Sequence, residues 1–250
     1  MRTKTMSVVA AVVLAGGFGV DRAAADQITL TSIIRDFQSS HPDFETTITD
    51  DRGFVSATIG GDRKPVYIGD GAGGATATTS GAANFNQWYN DTPGVNQSTT
   101  HNLVLNNGMV GPGGVYSFSD TSFFPIDGQM FGNEGNAHNY HFTLELHSKF
   151  TFAPGLFFNM SADDDLFVFI NDQLVIDLGG VHPPETANVN LDTLGLVNGQ
   201  TYDFDLFFAE RHTTLSNLSF DTSIQFVPEP GTLGLLALGA VSLLRRRRFF

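Results

Sequence analysis

The stretch HFTLELHSKFTF, residues 141–152, has apolar side chains at Phe142, Leu144, Leu146, Phe150 and Phe152. Polar ones stand between them at His141, Thr143, Glu145, His147, Lys149 and Thr151. A period of two marks a strand with one buried face, because successive side chains leave the backbone on opposite sides. The pattern recurs downstream. Tyr202, Phe204, Leu206 and Phe208 read as inward, with Asp203 and Asp205 outward, and Leu218, Phe220, Ile224 and Phe226 continue the series. Leu156 to Phe158, Leu166 to Ile170 and Gln173 to Leu178 are nearly continuous apolar runs, as central strands are. Turn residues separate them: Ala153-Pro154-Gly155, Asn171-Asp172, Gly179-Gly180 and Asn198-Gly199. The expected fold is all-β, a two-sheet antiparallel β-sandwich of jelly-roll type with few short helices.

Helical patterning is scarce. Thr31 to Ser39 predicts one short helix, with Ile33, Ile34 and Phe37 on a face, and Leu191 to Leu196 a helical turn. Gly69 to Ala83 is built of Gly, Ala, Thr and Ser with one charge and reads as a surface loop or insertion. Phe supplies the core, and Trp88, the single Trp, fits a core role as well as a sugar-stacking one.

The composition narrows the function classes. The chain has 250 residues, is 41% hydrophobic and 12% aromatic, and contains 23 Phe, 27 Gly and no Cys. Such aromatic content argues against disorder. The absence of Cys excludes disulfides, thiolate chemistry and Cys-ligated metals. With 13 basic and 26 acidic residues the net charge is −13. Nucleic acid is therefore a poor partner, since binding phosphates needs a Lys/Arg surface.

The two ends stand apart. Residues 1–25 read as a secretory signal peptide: Arg2 and Lys4, a charge-free run from Ser7 to Val20, then Ala23-Ala24-Ala25. Residues 227–250 hold Pro228-Glu229-Pro230, an apolar run from Gly231 to Leu244, and Arg245-Arg246-Arg247-Arg248. This tail resembles the PEP-CTERM sorting signal of Gram-negative bacteria. The resemblance implies recognition by an exosortase, membrane contact through an apolar transmembrane helix before processing, and a cell-surface or extracellular destination. The plain alternative is a C-terminal membrane anchor, with the Arg block on the cytoplasmic side. Loss of both ends removes seven basic residues (Arg2, Lys4, Arg22, Arg245 to Arg248) and two acidic ones (Asp21, Glu229). The remaining 6 against 24 give about −18, a body suited to divalent cations.

One segment carries chemistry: Ser161-Ala162-Asp163-Asp164-Asp165 immediately before the apolar run Leu166 to Ile170. Adjacent carboxylates repel unless they are solvated or neutralised. Spacing alone fits a solvated acidic loop as well as a metal site. Calcium, a hard ion that takes oxygen ligands, suits the second case.

Residues 163–182, DDDLFVFINDQLVIDLGGVH, resemble the signature of the fibro-slime domain, a relative of the anthrax-protective-antigen-type β-sandwich found in adhesins and carbohydrate-active enzymes. Ile34-Arg35-Asp36-Phe37 with His41 to Glu45, Phe85 to Asp91 with Pro93 to Asn96, and Leu191 to His212 are similar to its other blocks. The domain is thereby expected over residues 26–226. The resemblance implies that an Asp pair joined by a cis peptide, here Asp163 and Asp164, binds calcium, which contacts sugar hydroxyls. Asp165 is expected beside them as a further metal ligand, although it stands where relatives often carry Gly. Further ligands are expected from Asn217 or from backbone oxygens in Arg211 to Ser216, with His212 beside the sugar.

Other candidates rank lower. Asp177 and His182 flank Gly179-Gly180 and read as loop-orienting residues. Glu210-Arg211-His212 suits a charge-assisted network, with acid–base work by Glu210 and His212 as the less favoured reading. No His-Glu-x-x-His zinc motif is present, and Gly111-Pro112-Gly113-Gly114 lacks the Lys of a phosphate loop. The expectation is a non-enzymatic, calcium-dependent carbohydrate-binding or adhesion protein of an extracellular polysaccharide matrix. One rival is a structural matrix protein with purely structural calcium. The other is a carbohydrate-active enzyme using Glu145 or Glu210 with an Asp.

Overall fold

In a computed structural model, residues 27–108 and 114–227 are described. The expected signal peptide and almost all of the expected tail lie outside them. Among the described residues no helix is long and apolar enough to cross a membrane.

Among the described residues thirteen strands follow one another: β1 (Gln27–Phe37), β2 (Thr49–Asp50), β3 (Asn96–Asn107), β4 (Tyr116–Asp120), β5 (Phe142–Thr151), β6 (Phe157–Asp163) and β7 (Asp165–Ile170) come first. Then come β8 (Gln173–Leu178), β9 (Gly180–Val181), β10 (Glu185–Asn190), β11 (Thr201–Glu210), β12 (Asn217–Thr222) and β13 (Phe226–Val227). The main sheet runs β10-β6-β12-β4-β3-β1-β5-β11-β7-β8, with β13 added to β5, and β2 pairs with β9 in a small second sheet. Every pair is antiparallel. The end strands β10 and β8 approach each other, so the long sheet nearly closes on itself. Its two halves face each other as the layers of a sandwich, as the alternation in the sequence required.

Between the layers lies the main core, including Phe142, Leu144, Leu146, Phe150, Phe158, Leu166, Val168, Phe204, Leu206, Phe208, Leu218 and Phe220. Each such side chain contributes about 1.5–3 kcal/mol by leaving water. A second apolar cluster covers the outer face of β7 and β11. Phe167, Phe169, Phe207 and Ala209 pack there against Phe54, Val55, Tyr67, Phe85, Trp88 and Tyr89 from the segment between β2 and β3. That segment explains the continuous apolar run of β7, which has core on both faces. Trp88 takes the core role: it has no exposure, and its Nε1 donates to Asp43 Oδ2 at 3.0 Å.

The second cluster corrects two expectations of outward-facing polar residues. Thr143 and Glu145 are 0% and 4% exposed, and Asp205 has no exposure, because the covering segment shields them from solvent. Arg35, Lys64 and His147 all reach Glu145. His147 also contacts Asp205 at 2.6 Å, and Arg63 pairs with Asp205 and Asp203. Buried carboxylates are thus paired, as burial demands. The expected helix over Thr31 to Ser39 is also corrected. Those residues up to Phe37 continue β1, whose burial alternates over its first eight positions. Pairing with β3 on one side and β5 on the other satisfies both edges of β1, which local helical spacing cannot rival.

Turns follow the sequence more closely. Asn171 and Asp172 both adopt positive φ, 50° and 65°, at the β7–β8 hairpin. Leu191–Leu194 forms a 3₁₀ turn capped by Asn190, whose side chain accepts from Asp192 N. Residues 69–81 carry no regular structure, although Thr78 and Thr79 are buried, and Ala82–Phe85 form a single helical turn.

Candidate metal centre

Two crossovers meet at one end of the sandwich. The chain passes from β6 in one half of the sheet to β7 in the other at Asp163-Asp164-Asp165, and returns from β11 to β12 through residues 211–216. The peptide between Asp163 and Asp164 is cis. Both side chains are buried, at 5% and 2% exposure. Asp164 Oδ1 accepts from His182 N at 3.1 Å, and its Oδ2 from Arg211 N at 3.0 Å. Asp164 therefore fastens the loop after β9 to the loop after β11.

Glu210, the last residue of β11, joins the pair. On that strand it shares a face with Phe204, Leu206 and Phe208, which points its carboxyl across the end of the main core. Oxygens of Asp163, Asp164 and Glu210 lie within 4.8 Å of one another. Glu210 has no exposure; His212 N reaches its Oε1 at 3.4 Å, and its Oε2 has no hydrogen-bond partner. No Lys or Arg side chain forms an ion pair with any of the three among the described residues. Burial pushes the pKa of Asp163 up. It pushes Asp164 and Glu210 well up, reinforced by the neighbouring carboxylates. An all-oxygen, electron-rich donor set of this kind fits calcium and does not fit a soft metal.

Asp165, expected beside the pair, lies elsewhere. Its parity on β7 turns it to the second layer, where it has no exposure and meets Arg211 through two contacts, 2.6 and 3.0 Å. Its Oδ1 also accepts from Gly180 N at 2.8 Å. Both carboxylate oxygens are therefore committed. Asn217 stands opposite Asp163 in the β12–β6 register; its Nδ2 donates to Ser161 Oγ at 3.0 Å, and its Oδ1 accepts from Ser219 at 3.3 Å.

The backbone oxygens of the 211–216 loop are partly used: Arg211 O accepts from Glu45 N, His212 O from Thr214 N and Ser216 O from Phe123 N. His212 sits on this loop with its Nδ1 unpartnered. Ser216 Oγ is buried and unpartnered as well. Asp177 holds its loop through Gly53 N and Gly179 N at 2.8 and 3.0 Å, and the ring nitrogens of His182 lie 2.9 Å from Pro183 O and 3.3 Å from Leu178 O.

Glu210 is the member of the cluster that motif reading did not assign to a metal. The period-two pattern of β11 held the signal, since it places a carboxyl on the core face, where an ion needs a counter-charge.

The PA14 domain model matches residues 132–231, and a PEP-CTERM protein-sorting motif matches residues 226–248. The sorting motif indicates export and surface sorting in bacteria. Protein psiR of Dictyostelium discoideum is 38% identical over 215 residues, covering 80% of this chain and 21% of that protein. Protein psiQ of the same organism is 40% identical over 187 residues, covering 70% and 18%. The chain thus spans about a fifth of the length of these relatives. Among solved structures, a PA14 sugar-binding domain from an RTX adhesin is 10% identical with a TM-score of 0.29, over 45% of this chain and 75% of that one.

Proposed function

From a chain that carries a PA14 domain and a PEP-CTERM sorting motif, we propose a secreted, surface-sorted protein that binds extracellular polysaccharide through calcium held by Asp163 and Asp164. Its setting is the polysaccharide matrix of a Gram-negative bacterium. The observation that carries this reading is the buried Asp163-Asp164 pair, which has oxygen donors and no cationic side chain of its own. Asn217, opposite Asp163, adds a neutral oxygen at the same edge. A bound calcium ion supplies positive charge to the carboxylates and open positions for hydroxyl oxygens. Vicinal sugar hydroxyls are ligands of that kind. His212 and Ser216, on the adjoining loop, carry buried polar atoms without well-formed hydrogen bonds beside the same carboxyl groups.

The role is non-enzymatic. Glycoside hydrolysis needs two carboxyl groups presented to the substrate across a cleft. Glu145 is 4% exposed; burial pushes its pKa up, but His147, Arg35 and Lys64 outweigh that and hold it at about 2, and Glu210 has no exposure. Neither carboxyl faces a substrate.

A glycan array read in calcium and in EGTA tests the proposal. Expected is binding to at least one polysaccharide in calcium, lost in EGTA and lost in the Asp163→Asn/Asp164→Asn double variant. Calcium uptake with no glycan bound at saturating calcium overturns it in favour of a structural matrix protein. The contacts from Asp164 to His182 and Arg211, which staple two loops, favour that second reading.

A further inference from the structure

We infer that Glu210 is a third charged anchor of the same cation, and that it makes the site selective for multivalent ions and ties their binding to the order of the 211–216 loop. The inference rests on the calcium reading above and deepens it.

Position comes first. Glu210 belongs to the opposite half of the sheet from Asp163, and its oxygen still comes within 4.8 Å of those of Asp163 and Asp164. The three carboxyls therefore bridge both layers where the chain crosses twice. Among the described residues Glu210 is fully buried and its Oε2 makes no well-formed hydrogen bond, whereas both carboxylate oxygens of Asp36, Asp43 and Asp165 accept one. Asp43 accepts from Ser80 and Trp88, Asp36 from Phe131 N and Asn139, and Asp165 from Arg211 and Gly180 N. An oxygen left without a donor inside a folded domain carries a desolvation penalty that a cation removes.

Charge comes second. An ion held by all three carboxylates meets a charge of −3, and the Arg211 guanidinium is occupied by Asp165 on the other face. A monovalent ion leaves most of that repulsion in place. A divalent ion reduces it to −1 and a trivalent one neutralises it. Connectivity comes third. Glu210 leads straight into the loop whose Arg211 N binds Asp164 and whose Arg211 O receives Glu45 N. Fixing the Glu210 carboxyl fixes the start of the loop that bears His212 and Ser216.

Calcium titration calorimetry and thermal melting of the full chain, wild type against Glu210→Gln, test this. Without a cation the glutamine replaces one of three crowded carboxyl groups at nearly constant shape. The variant in EDTA is therefore expected to melt at or above the wild-type temperature. In calcium the order reverses: affinity falls about tenfold or more, because calcium sites are tuned by ligand charge, and the melting gain shrinks. Glu210→Asp keeps the charge and is expected to bind calcium more tightly than the glutamine variant.

Calcium affinity of Glu210→Gln within twofold of wild type overturns the role of Glu210 alone. Glu210→Asp no better than Glu210→Gln overturns the charge argument. Wild type that takes up no calcium overturns the calcium reading itself, so the two failures are told apart.

Discussion

Arg211 joins four separated stretches of chain. Its guanidinium meets Asp165 on β7 and the carbonyls of Asp43 and Thr78 at 2.7 and 2.8 Å, and lies 4.6 Å over the Trp88 ring. His147, in the middle of β5, performs the same office between Glu145 and Asp205. Burial works against its charge, yet the two carboxylates raise its pKa to about 9 from the ordinary 6.5. A folded-state pKa above the unfolded value means stabilisation that is complete below about pH 6.5 and lost as pH rises through about 9. The shift corresponds to about 3 kcal/mol, and screening at a side chain 28% exposed reduces it to about 2 kcal/mol. Urea denaturation between pH 6 and pH 10 is expected to show this fall in wild type, and His147→Gln to lose it. Identical profiles for the two proteins would contradict the bridge. Glu145 has the opposite sign: its pKa is depressed to about 2, so its contribution is present above the ordinary carboxylate range and lost as pH falls through about 2.

At the scale of elements, the close approach of β2 to β9 depends on two glycines. A Cβ on Gly179 would meet Asp51 O at 2.6 Å, and one on Gly180 would meet Thr49 O at 2.5 Å and Asp51 N at 2.6 Å. Gly180 also has φ +125°, outside the ordinary range of L-residues. Gly180→Ala is expected to lower stability by about 2 kcal/mol or more, from backbone strain plus the clash. Gly199→Ala has a similarly positive φ, +80°, with nothing within 4 Å, and should lose only about 1 kcal/mol. Equal melting temperatures for the two variants would count against the packing argument. This junction stands next to the candidate metal centre, because Gly180 N donates to Asp165 and His182 N to Asp164. The apolar positions of β1 show the limit of local patterning. Ile33, Ile34 and Phe37 suit a helical face, but Ile34 is buried in the main core and Ile33 is 37% exposed on the other side.

For the molecule as a whole, the candidate centre bridges the two layers, so cation binding should be felt in global unfolding. A ligand at a hundred times its dissociation constant adds about 2.7 kcal/mol. In a domain of this size that raises the melting temperature by roughly 5–10 °C. Saturating calcium is expected to produce such a rise and EDTA to reverse it; a melting temperature indifferent to both would remove the cation from the account.

Period-two alternation, turn residues and Phe content determined the all-β class by themselves, because burial of one strand face is written residue by residue. The run Asp163-Asp164-Asp165 stood out as adjacent carboxylates before an apolar strand, but its spacing fitted a solvated loop as well as a metal site, and only the family resemblance singled out Asp163 and Asp164. Only the tertiary structure decided that Asp165 belongs to Arg211, that Glu145 and Asp205 are buried, and that Glu210 joins the pair. Those facts depend on what covers the outer sheet face and on where two crossovers meet. Glu210 lies 46 residues from Asp164 along the chain, and nothing local brings the two together; closure of the sheet does.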